Sequence, residues 1–109
     1  MKIYKYVLGT AGDAVSYRGK FRNILSIGMS NGNPCVWIEN DEKEDEKKIS
    51  IVSLGTGWDV EDMLEGWKYL GTLTIDGYVW HYYYYMETKF AKEIEKLTNL
   101  LFGEVKDWF

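Results

Sequence analysis

Apolar and polar positions alternate over most of the first 87 residues, and the alternation breaks at turn-forming residues. "KIYKYVL" (Lys2–Leu8) reads as a first strand. "GTAGDAVSYRGK" (Gly9–Lys20) carries glycines, Asp13 and Ser16 and reads as a loop. "FRNILSIGMS" (Phe21–Ser30) is a second strand with Phe21, Ile24, Ile27 and Met29 on its apolar side; a bulge near Asn23 accounts for the broken period. Asn31-Gly32 suits a tight hairpin, because both central residues of that turn take positive φ. "CVWIE" (Cys35–Glu39) is then a third strand, antiparallel to the second. "ISIVSLGTG" (Ile49–Gly57) is a fourth and "KYLGTLTID" (Lys68–Asp76) a fifth. Asp76-Gly77 marks a second tight turn, and "YVWHYYYYMET" (Tyr78–Thr88) is a sixth.

Two segments change period. Val60, Met63, Leu64 and Trp67 fall on one helical face, with Asp59 as cap and Gly66 as stop, and predict a short helix. From Thr88 to about Phe102, Phe90, Ile94, Leu97 and Leu101 recur at steps of four, three and four, and predict an amphipathic C-terminal helix. That stripe has to be buried, either on the sheet or against the same helix of a second copy in a homodimer. Trp108 and Phe109 are unusually apolar for a chain end and are expected to dock on the domain or on a partner. The expected fold is α+β: about six antiparallel strands in a twisted sheet or partly open small barrel, one short helix and the C-terminal helix. The 109 residues form one domain, with a β-rich body over 1–87 and a helix and tail over 88–109.

Composition narrows the function classes. Aromatics make up 17% of the chain, which suits strands and binding faces. The net charge of −4 argues against a sequence-independent hold on nucleic acid, which needs a basic face. A single cysteine and a single histidine cannot supply a structural zinc set, and no cofactor or metal is expected. No run of apolar residues is long enough for a membrane span, so a cytoplasmic protein is expected. The charge run Asn40–Lys48 mixes both signs and reads as the solvated tip of a hairpin rather than an acidic docking patch.

Candidate chemistry concentrates in the sixth strand. At period two, Val79, His81, Tyr83 and Tyr85 share one face, and Trp80, Tyr82, Tyr84 and Met86 the other. Tyrosine joins an apolar ring to a polar tip, so a run of four fits a sheet held by cross-strand aromatic pairs, or a binding face. His81 is the only classical proton shuttle, but no serine or carboxylate stands at a spacing that marks it as a catalytic partner. No catalytic residue is assigned. The candidate binding residues are Trp80, His81, Tyr82, Tyr83, Tyr84, Tyr85, Trp108 and Phe109. "GTG" (Gly55–Gly57) lacks the Gly-Lys-Ser/Thr ending of a phosphate loop and reads as a turn, and Cys35, among apolar strand neighbours, as an inert thiol.

"IYKYVL", "NGNPCVWIE", "LGTG", "YLGT" (Tyr69–Thr72) and "VWHYYYY" occur in that order over residues 2–86. The series resembles a family of small bacteriophage and prophage proteins without an assigned function. Trp37, Gly55, Gly57, Gly71, Thr72 and His81 carry the resemblance. The appended C-terminal helix and the acidic insert depart from it. The resemblance implies a phage accessory role in the host cytoplasm. With the surplus of aromatics it leads to the first expectation, a binder that inhibits or redirects a host protein, as an anti-defence factor for example. A binder that sequesters a nucleotide-type signal and a His81-dependent enzyme are the alternatives.

Overall fold

A computed structural model describes residues 1–60 and 64–87, together with the isolated positions Leu97 and Leu100, both exposed. The described residues form seven strands: β1 (Lys2–Val7), β2 (Val15–Gly19), β3 (Phe21–Ser30), β4 (Asn33–Asn40), β5 (Lys47–Gly55), β6 (Lys68–Ile75) and β7 (Tyr78–Glu87). They pair antiparallel in two sheets, β1-β4-β3 and β2-β5-β7-β6. The inner faces of both sheets feed one core, built on Phe21, Val36, Ile38, Ile49, Ile51 and Tyr82. This is a sheet-on-sheet arrangement, in which alternate residues of each strand interdigitate between the layers.

Over residues 1–60 and 64–87 the α+β expectation is therefore corrected to an all-β architecture in two sheets. Among the described residues the short helix is not seen: Val60 is irregular and residues 64–66 form a turn, while Met63 and its neighbours 61–62 lie outside the described residues. Gly57 and Gly66 take positive φ, Trp58 N–H closes a turn on Gly55 C=O, and Trp67 N–H closes another on Leu64 C=O. Val60, Leu64 and Trp67 belong to the connection between β5 and β6; Leu64 and Trp67 line one hollow with Leu54, and Val60 lines another with it. The C-terminal helix, with Trp108 and Phe109, falls outside the described residues apart from Leu97 and Leu100.

Two further corrections concern connectivity. Val15–Gly19 is a strand, not a loop. Val15, Tyr17 and Gly19 alternate toward the core, but the glycines around this five-residue run mask the period. β2 then passes to the other sheet through Lys20 alone. A Cβ on Gly19 would stand 2.8 Å from the Phe21 ring, so glycine lets the corner close on that side chain. The charge run is likewise a crossover between sheets and not a hairpin tip, because β4 and β5 lie in different layers. Asp41 organises it by accepting from Lys43 N–H at 3.0 Å through its side chain and from Glu44 N–H at 2.9 Å through its carbonyl. Lys47 bonds the Glu44 carboxylate at 2.8 Å and the Phe21 carbonyl at 2.9 Å, pinning the crossover to the corner.

Both two-residue hairpins form as read. Asn31 and Gly32 have φ of 51° and 78°, and Asp76 and Gly77 have 51° and 83°, the left-handed pair that matches the twist of the strands they join. The irregular second strand is explained as well. Phe21, Ile24 and Ile27 lie three apart, which in a regular strand would alternate faces. Register shifts at Phe21/Asn23 and Ile24/Ser26 each absorb one residue and return all of them to the core side, opposite Asn40, Ile38 and Val36.

Candidate functional site

The aromatic strip of β7 splits between the two faces of its sheet. Trp80, Tyr82 and Tyr84 point inward and join or flank the core. Tyr82 is almost fully buried, opposite Ser53 of β5. Its hydroxyl has no hydrogen-bond partner among the described residues, and the Ser53 hydroxyl accepts from Gly12 N–H at 2.6 Å. Burial pushes the Tyr82 phenol above its ordinary value near 10, and the neighbouring Ser53 offsets part of the rise without closing a hydrogen bond. A raised tyrosine pKa means the folded state holds its proton longer than the unfolded chain. Its contribution to stability is intact below pH 10 and is lost as pH climbs from the unfolded to the folded value. Tyr82→Phe removes the orphan hydroxyl at constant shape. It is expected to leave stability at pH 7 unchanged or raised, and to flatten the alkaline loss above pH 10, as read from urea midpoints across pH. A wild-type slope in the variant would contradict this assignment.

His81, Tyr83 and Tyr85 face outward. The Asp76-Gly77 turn sets the register of β6 against them, with Thr72 opposite His81. A bulge between Tyr69 and Gly71 then moves Tyr69, rather than Leu70, opposite Tyr83. The rings of Tyr69 and Tyr83 meet edge-on at 5.6 Å. Trp67, at the end of the connection before β6, tilts against Tyr85 at 5.9 Å. Two aromatic pairs thus run side by side across the outer face. Tyr69 is 58% exposed and Tyr85 40%, so these rings support each other and still face solvent.

His81 closes the strip at one end. Its Nε2 lies 2.8 Å from Thr56 Oγ1 and its Nδ1 3.1 Å from Thr72 Oγ1, and Thr72 in turn bonds the Tyr69 hydroxyl. A hydroxyl both donates and accepts, so the threonines satisfy the ring in either tautomer. The group at Nδ1 is a threonine, not the carboxylate that would stabilise an imidazolium during base catalysis. The network links the turn after β5, the middle of β6 and the middle of β7. It fixes the histidine as part of a surface.

Of the residues singled out from sequence, His81, Tyr83 and Tyr85 come together on the outer face. Trp80, Tyr82 and Tyr84 belong to the inner one, and Trp108 and Phe109 lie outside the described residues. Trp67, Tyr69, Thr72 and Thr56 complete the face and were missed. Thr72 could have been found by counting back from the Asp-Gly turn, and Tyr69 only with knowledge of the bulge. Among the described residues, no group of three or more His, Cys, Asp or Glu side chains could hold a metal ion, and no helix is long and apolar enough to cross a membrane.

The molecule is an antiparallel two-sheet β protein with an aromatic face on its four-stranded sheet. A family described as "Domain of unknown function (DUF7352)" matches residues 1–92, and the chain belongs to that family. No curated protein and no solved structure matches it.

Proposed function

We propose that this is a small phage-encoded accessory protein that binds a host protein in the host cytoplasm and inhibits or redirects it, with immune evasion as the task in view. The binding surface is the outer face of β6 and β7. The observation that carries this reading is the pair of exposed aromatic contacts, Trp67 with Tyr85 and Tyr69 with Tyr83. Large amphipathic rings held on a rigid sheet lose little entropy on binding and supply the anchors that dominate protein interfaces. The acidic balance of the chain favours a partner with a basic rim.

The test is to incubate the tagged full-length chain with bacterial host lysate, purify it gently and weigh the eluate by native mass spectrometry. A host protein in fixed stoichiometry is the expected result. A small added mass with no protein partner would favour sequestration of a nucleotide-type signal instead. The bare chain, or a homodimer formed through residues 88–109, would remove the support for a host partner.

A further inference from the structure

A second surface lies at the end of the sandwich where three connections meet. The β1–β2 loop, the Asn31-Gly32 turn and the Asp76-Gly77 turn border an open hollow of about 520 Å³. This is within the size range of small-ligand sites, roughly 300–1,000 Å³. Tyr78 and Trp80, two residues apart on the same side of β7, line it with Pro34 and Ile75. Trp80 is held in place: a Cβ on Gly12 would lie 3.5 Å from its ring, and Trp58 meets it edge-on at 5.4 Å. Asp76 is the only charged residue of the lining. Its carboxylate makes no hydrogen bond or ion pair with the described residues. The turn holds its backbone at φ 51°.

An apolar and aromatic wall beside one exposed carboxylate, unpaired among the described residues, complements a cation on an aliphatic stem. The stem packs on Ile75 and the exposed Tyr78, the charged head is drawn to Asp76, and aromatic rings beside the hollow favour the same charge. We propose that this hollow binds the basic side chain, arginine or lysine, of a peptide segment. The site is separate from the outer face of β6 and β7 and does not depend on the role given to that face.

The test is an NMR titration of the full chain with Nα-acetyl-arginine methylamide and its lysine counterpart. The equivalent blocked glutamate and norleucine serve as controls. Saturable shifts at the Trp80 indole N–H and the Gly32 and Gly77 amides are expected with the basic probes and not with the controls. Asp76→Asn is expected to weaken binding about tenfold, the worth of one charge-assisted contact. The variant keeps its turn, since Asn31-Gly32 closes the other hairpin of this chain with the same backbone. Three results would each overturn the proposal: no saturable shift with either basic probe, equal shifts from norleucine or glutamate, or native-like binding by Asp76→Asn.

Discussion

Phe21→Ala lowers the stability of the fold by about 3–5 kcal/mol, the usual cost of emptying a buried phenylalanine site. A domain of this size has roughly 5–15 kcal/mol in total, so the variant comes close to unfolding. Phe21 is fully buried and stands at the corner where the chain leaves one sheet for the other. Its ring meets Tyr6 edge-on at 5.9 Å and lies against Gly19 of β2. Its carbonyl accepts the Lys47 ammonium that anchors the charged crossover. The close approach of Gly19 to the ring limits how far the site can collapse to fill the void. Urea unfolding of Phe21→Ala beside Tyr4→Ala measures this. Tyr4 is 48% exposed on β1, so its truncation should stay within about 0.5 kcal/mol of wild type. Equal losses in the two variants would show that the corner does not hold the sheets together.

The double variant Tyr69→Ala, Tyr85→Ala abolishes partner capture and leaves the fold intact. Each ring is expected to act as an interface anchor, and losing such an anchor costs about 2 kcal/mol or more, roughly thirtyfold in affinity. Removing one ring from each aromatic pair also deprives Tyr83 and Trp67 of their support. Both positions are exposed, so the melting temperature should move by only a few degrees. Tyr84→Ala, on the inner face of the same strand, provides the contrast: it should lose stability first and binding only as a consequence. Undiminished capture by the double variant would remove the outer face from the interaction.

Local rules made much of this legible in the sequence. The alternation along Tyr78–Glu87 separates the two sets of side chains that the sheet places on opposite faces. Asn-Gly and Asp-Gly mark the two hairpins, and the three-residue spacing of Phe21, Ile24 and Ile27 betrays the bulges of β3. What stayed hidden depends on distant contacts. Nothing near Asn40 or Lys47 says that the chain changes layers between them, since either outcome starts with two strands and a charged connection. β2 was lost because its inward glycine, required for the approach of Phe21, looks like a loop residue when that approach is unknown. The helical spacing of Val60, Leu64 and Trp67 misled for a related reason. An apolar connection makes its contacts at irregular intervals, and some of them fall at helical steps by chance. The hydroxyls around His81 were out of reach because Thr56 depends on the path of that same connection.

The pairing order also governs how the chain acquires its shape. Only two of the five strand pairings join neighbours through a tight turn. Lys2 waits for Asn40, and Val15 for Ile51. On a ribosome, β1 and β2 therefore emerge long before the strands that will hold them. The β3–β4 and β6–β7 hairpins can close in microseconds, whereas the remaining pairings must first close long loops and set a pace of milliseconds to seconds. Until then the lysines of β1, Lys2 and Lys5, are its guard against pairing with other nascent chains.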